Sequence, residues 1–210
     1  MNSEQIASFE EEIANIYEGG VIKAPVHLRN GNEENLVKIF NEHVNDEDYV
    51  FSTWASHIHC LLKGVPPERI KQDILEGRSI TLHYPDYNIF SSAIVGGIAP
   101  ISVGTAKALK NSGKSNRVFC FLGDMGFHTG IANESIRYAI GHDLPITFVI
   151  EDNGKSVGTD TLETCKIKAK DLFDSLVQLK EKYASDNVEL IYYSYSSSYP
   201  HSGTGVFVEF

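Results

Sequence analysis

Val118-Phe119-Cys120-Phe121-Leu122-Gly123-Asp124 and Leu144-Pro145-Ile146-Thr147-Phe148-Val149-Ile150-Glu151-Asp152-Asn153 are the two stretches whose reading decides the fold. Each is an unbroken apolar run that ends in polar residues, and Ile131 to Gly141 between them has helical spacing. Short apolar runs separated by a helix read as parallel strands buried on both faces. A strand–helix–strand crossover of this kind is right-handed, so Asp124 and Asn153 come to the same carboxyl edge of the sheet, where open α/β folds bind ligands.

The pattern continues outward in both directions. Lys168 to Tyr183 is an amphipathic helix, and Val188 to Tyr193 and Val206 to Phe210 are strand-like. On the amino side, Ile6, Phe9, Ile13, Ile16 and Tyr17 predict a helix from Ser3 to Glu18 that Gly19-Gly20 ends. Leu36, Ile39, Phe40 and Val44 share one face of a second helix over Asn32 to Val44, and a third starts at Gly64-Val65-Pro66-Pro67 and stops at Gly77. Ser91 to Gly104 is rich in small residues and suits a buried helix packed closely against a sheet or another chain. The expected fold is α/β, a doubly wound, mostly parallel sheet with helices on both faces. Residues 1–210 are expected to form a single domain with an N-terminal helical arm at about 1–20.

With 18 Lys and Arg against 28 Asp and Glu, the chain carries a net charge of −10. That balance argues against nucleic acid and against a membrane surface as partners, since phosphate backbones call for clustered cations. No apolar run approaches the roughly 20 residues that span a bilayer, and Met1 to Glu12 is acidic rather than charged-then-apolar, so a cytoplasmic protein is expected. Cys60, Cys120 and Cys165 fit neither a disulfide framework nor a zinc pattern and read as reduced thiols, with Cys120 in the core. His43 and His142 fall on polar helix surfaces.

An Asp carboxylate with an Asn amide oxygen is a hard, all-oxygen pair that suits Mg²⁺ or Ca²⁺ and leaves coordination positions for phosphate oxygens. The helix after Gly126 offers N–H groups and a positive dipole end to the same phosphates. An acidic chain would in this way hold an anion through a metal and a helix terminus.

Here a family resemblance appears. Gly123-Asp124, the step of 153 − 124 = 29 residues to Asn153, and the intervening Gly130, Glu134 and Leu144-Pro145 resemble the thiamine diphosphate motif, Gly-Asp-Gly followed at a similar distance by Asn-Asn. From His27 to Gly158 the chain resembles the alpha subunit of the thiamine diphosphate-dependent first component of 2-oxo acid dehydrogenase complexes. His27-Leu28 with Gly31-Asn32-Glu33 is similar to its His-Leu…Gly-Gln-Glu, and Thr53-Trp54-Ala55-Ser56-His57 to its Thr-Tyr-Arg-x-His. Leu82-His83, Ala93-Ile94-Val95-Gly96, Val157-Gly158-Thr159 and Tyr199-Pro200-His201-Ser202 resemble its Met-His, its Gly-Ile-Val-Gly, the tripeptide after its asparagine, and its Gly-His-Ser.

The resemblance implies that Asp124 and Asn153 bind Mg²⁺ through side chains and Lys155 through its carbonyl. It implies that Gly123, Met125 and Gly126 present backbone to the diphosphate, that Trp54 and Val95 lie against the cofactor, and that His83 and His201 stand at the reacting carbon. Several positions depart from the family pattern: its phosphate-binding Arg is Ala55, its second motif Gly is Met125, its following Asn is His128, and the first Asn of its pair is Asp152. Lys155, His201 or His57 would have to replace the lost guanidinium.

Thiamine chemistry also needs a carboxylate against the pyrimidine ring, which the family takes from a second domain. A chain of 210 residues is expected to leave no room for one and to be without the family's C-terminal helical extension, so the partner expected is a separate beta-type pyrimidine-binding chain, two of each. The expected activity is decarboxylation of a 2-oxo acid with transfer of the acyl or aldehyde unit. The alternatives are a carbon–carbon bond-forming transferase of the transketolase-like or acyloin-forming kind, and a non-catalytic assembly subunit.

Overall fold

The computed structural model describes residues 1–156 and 158–208. Helix α1 (Ser3–Glu18) opens on a capping box, in which the Asn2 side chain accepts from the Gln5 N–H and the Gln5 side chain accepts from Asn2 N–H. It is followed by α2 (Glu33–His43), β1 (Tyr49–Ser52), α3 (His57–Leu62) and α4 (Pro67–Leu75). Next come β2 (His83–Tyr84), β3 (Ile89–Ser91), α5 (Ile98–Asn111) and β4 (Val118–Gly123), then α6 (Asp124–His128), α7 (Gly130–Gly141) and β5 (Ile146–Asp152). The chain continues through β6 (Lys155–Ser156), β7 (Thr159–Asp160), α8 (Thr161–Cys165), α9 (Ala169–Lys182) and β8 (Val188–Ser194).

Six strands form one sheet in the order β2-β3-β1-β4-β5-β8, parallel throughout except that β2 runs antiparallel to β3. The expected fold class is therefore the one observed. Alternation along β4 shows why both faces must be covered: Phe119 and Phe121 enter a core with α1 to α4, while Val118, Cys120 and Leu122 enter a second core with α5, α7 and α9. From β1 the chain turns to β3 on one side and returns to β4 on the other. The topological switch point, where such sheets bind ligands, falls between β1 and β4.

Three expectations are corrected. Helix α1 is no arm: Ile6 and Ile13 are fully buried in the first core, because its apolar stripe has the sheet's helices to pack on. Only the second half of Ser91 to Gly104 is helical; there Ala99, Ser102 and Ala106 pack inward while Ile101 and, ahead of the helix, Ile94 stay exposed. Val206 to Val208 form no strand; Glu209 and Phe210 of that expected strand, and Val157 of the tripeptide after Asn153, lie outside the described residues. Cys60 and Cys120 are buried and Cys165 is half-buried, all three free. Among the described residues no helix is long and apolar enough to cross a membrane.

Candidate functional site

A cavity of about 620 Å³ opens at the carboxyl edge, at the switch point. Its floor is built from residues just past the ends of three strands: Thr53, Trp54 and Ala55 after β1, Gly123 to Gly126 at the end of β4, and Asn153 after β5. Val95, Lys155 and His201 line it too, so nine of the ten residues singled out from the sequence as site residues meet in one place.

His83 is the exception. It sits exposed on the short edge strand β2, opposite in pleat to buried Tyr84, and its ring packs edge-on against Phe90. The chain itself does not bring His83 into the cavity. His57, considered as a replacement for the missing guanidinium, is also elsewhere: it is buried between Glu10 and Ser79, hydrogen-bonded at 2.9 Å to each.

Asp124 is 2% exposed at the start of α6. Its Oδ2 has no hydrogen-bond partner, and burial, joined by the nearby Asp152 charge and opposed by Thr161, raises its carboxyl to about 6. A buried, partnerless carboxylate oxygen is a costly arrangement in an unliganded protein and a suitable one for a cation. Asn153 supports it: its Oδ1 accepts the Lys155 N–H at 3.0 Å, which fixes the amide while leaving the oxygen a second lone pair. Among the described residues no group of three or more His, Cys, Asp or Glu side chains could hold a metal. The donors that adjoin at the ends of β4 and β5 are instead the Asp124 carboxylate and the Asn153 amide oxygen, oxygen donors that suit a hard divalent ion that keeps water or phosphate oxygens.

The backbone must approach closely here. Gly96 has φ +72°, and a Cβ on it would meet Thr129 Oγ1 at 2.4 Å, so position 96 requires glycine. Thr129 caps α7, tying the Val95-Gly96 wall to the helix that comes after the Asp124 turn.

Beside the floor, His27 and His201 join Trp54 in a ring cluster that lines the cavity, His27 and His201 edge to face with centroids 4.4 Å apart. Burial, then the His201 charge, pushes His27 down to about 4, and burial lowers His201 as well. Both imidazoles favour the neutral form, able to accept a proton at one nitrogen while donating at the other.

Sequence reading missed Arg29, Glu10 and Glu151, and took from the segment after β8 only the Tyr199-Pro200-His201-Ser202 match. Arg29 Nη1 lies 2.6 Å from Glu151 Oε2, and Glu151 Oε1 accepts from Tyr193 Oη at 2.6 Å. The Arg29 charge and nearby His59 hold Glu151 well below the usual carboxylate range, despite complete burial. Residues Tyr195 to Gly205 cross over the cavity, held by Asn30, whose Oδ1 accepts from Ser197 Oγ and the Ser198 N–H. For Arg29, Glu10 and Glu151 the one sequence signal was an arginine two residues after His27, inside a stretch that resembles a family motif.

The proton on Asp124 sets a pH dependence. Its folded value lies above its ordinary 3.8, so without metal the folded state holds the extra proton and loses stability as pH rises between those two values. A cation must displace that proton below about pH 6. Mg²⁺ affinity measured by calorimetry is expected to be roughly tenfold weaker at pH 5 than at pH 7 and flat above pH 7.

A doubly wound α/β sheet with an oxygen-donor site and a helix start at its switch point defines the class: a ligand-binding domain suited to a metal-linked anion. The chain belongs to the dehydrogenase E1 component family, which matches residues 1–172. The acetoin:2,6-dichlorophenolindophenol oxidoreductase alpha subunit of Cupriavidus necator is 34% identical over 73% of this chain and 49% of its own length, and that of Bacillus subtilis 29% over 74% and 49%. The pyruvate dehydrogenase E1 component alpha subunit of Porphyra purpurea is 31% identical over 72% and 48%. The chain thus spans about half the length of the curated relatives it matches. A solved enzyme from Mycobacterium smegmatis, assigned to thiamin diphosphate dependence, aligns over 82% of this chain and 33% of its own at 18% identity, with a TM-score of 0.48.

Proposed function

We propose that this chain is the diphosphate-binding alpha subunit of a two-chain enzyme, dependent on thiamine diphosphate and Mg²⁺, that decarboxylates a 2-oxo acid and transfers the acyl or aldehyde unit. The observation that carries it is the partnerless, buried Asp124 Oδ2 in the same cavity as Asn153, at the switch point of a chain of the E1 family. Asp124 and Asn153 would hold the metal with the Lys155 carbonyl, and the backbone of Gly123, Met125 and Gly126, at the start of α6, would face the diphosphate. Trp54, Val95 and Gly96 would flank the rings. Bound thiamine diphosphate supplies a thiazolium carbon that adds to a carbonyl and takes up the electron pair released on cleavage. His201, packed against His27, would be the imidazole that moves a proton at the cavity; His83 would act there only if assembly moved it.

Cavity closure and the pyrimidine-facing carboxylate are assigned to a beta-type partner, two of each chain, in the cytoplasm. Exposed Ile94, Val95 and Ile101 beside the cavity wall support a partner on that side. A second substrate class, an acyloin such as acetoin, is favoured by the names of the Cupriavidus and Bacillus relatives.

The purified chain with Mg²⁺ and thiamine diphosphate is expected to leave 2-oxo acids and acetoin unchanged and to gain turnover when the beta-type chain is added. Turnover by the chain alone would remove the shared site; cofactor binding without turnover in any pairing would favour the assembly subunit.

A further inference from the structure

Of the residues that line the cavity, Arg29 and Lys155 carry permanent positive charge, against Asp124, Glu151 and Asp160. Lys155 is exposed on the short β6–β7 ribbon, whereas Arg29 is 9% exposed. Resting on the thiamine diphosphate reading of the cavity, we propose that Arg29 is the cationic anchor for the diphosphate in this chain.

Four observations carry the assignment. First, Arg29 stands between Thr53, just past β1, and Glu151, near the end of β5; the strand between those two is β4, which delivers Gly123-Asp124. Second, its donors are under-used for a buried guanidinium. Nη1 is 2.6 Å from Glu151 Oε2 but is aligned for no hydrogen bond, and Nη2 reaches Thr53 Oγ1 only at 3.4 Å. A guanidinium has five N–H groups, and buried ones ordinarily find acceptors. Third, the ion pair with Glu151 runs through Oε2 alone, because Oε1 is taken by Tyr193 Oη and by Asn32 Nδ2 at 3.3 Å, so the pairing is not bidentate and leaves the other guanidinium donors free of it. Fourth, the backbone is clamped: the Arg29 N–H donates to Glu10 Oε2 at 2.9 Å, and the His27 N–H donates to Ser79 Oγ at 3.3 Å. Ala55 lines the same cavity with no side chain beyond its methyl, so nothing at that position competes for the anion. A planar fork of donors lining the same cavity is an arrangement that recognises phosphate oxygens.

Trp54 is the single tryptophan and lines the cavity, so quenching of its fluorescence reports binding without any turnover. Arg29→Gln alone would strand Glu151, so the comparison is Glu151→Gln against Arg29→Gln/Glu151→Gln, each titrated with thiamine diphosphate and with thiamine in Mg²⁺, after both are shown folded by circular dichroism. Loss of a charge-assisted phosphate contact is expected to weaken thiamine diphosphate roughly ten- to hundredfold in the double variant and to leave thiamine unchanged. Equal thiamine diphosphate affinity in the two variants, or an equal loss for thiamine, overturns the role of Arg29 alone. Absence of any Mg²⁺-dependent quench in the wild-type protein overturns the cofactor reading itself.

Discussion

Asp124→Asn is expected to lower Mg²⁺-dependent thiamine diphosphate affinity by roughly a hundredfold or more, beyond the range of a lost supporting contact, without lowering the stability of the metal-free protein. The two halves of that result have one cause. Oδ2 of Asp124 is buried with no hydrogen-bond partner, and burial outweighs the support that Thr161 and the Met125 N–H give, so the charged carboxylate is disfavoured until a cation arrives. Replacing it with a neutral amide of the same shape removes the cation's strongest ligand and also the desolvation cost. Calorimetry with Mg²⁺ and thiamine diphosphate, paired with urea unfolding, separates the two halves. Unchanged affinity would reject the metal assignment; a large drop in stability would show that Asp124 has a structural partner.

The second large effect concerns folding. Glu10→Ala is expected to cost about 3–5 kcal/mol, read as a shift of the urea midpoint with unchanged slope. Glu10 is 1% exposed on α1, and its two oxygens accept from buried groups far along the chain: Oε1 from His57 Nδ1, whose Nε2 meets Ser79 Oγ, and Oε2 from the Arg29 N–H. Truncation leaves both donors without acceptors and opens the space beside Ile6 and Ile13. Glu10→Gln keeps one acceptor oxygen and is expected to cost less. A loss under about 1 kcal/mol for Glu10→Ala would mean that α1 is dispensable to the fold, as a loosely attached arm would be.

Helices and strands with one strong periodicity were legible in the sequence, because burial of a stripe or of a whole strand is written in the spacing of apolar residues. Val118 to Leu122, a five-residue apolar run closed by Gly123-Asp124, reads as a doubly covered strand by its length and flanks, and α1, α2 and α9 keep to their apolar stripes to within a residue or two. Asp124 and Asn153 were legible too, since a strand–helix–strand unit places both strand ends on one edge whatever surrounds it.

The tertiary structure alone decided which distant groups meet there. Glu10 lies between Phe9 and Glu11 in an acidic run that reads as a solvated face, yet it is buried because α3 and the Ser79 turn bring His57 to it. Arg29 and Glu151 are 151 − 29 = 122 residues apart, and the segment after β8 crosses the cavity to reach Asn30. His83, matched to a family motif, lands on an edge strand outside the cavity, because the two-residue length and antiparallel pairing of β2 turn its side chain to solvent. Local spacing records which face of an element is buried. It does not record strand order or the partners of a buried charge, which are set when loops close and sheets and helices stack.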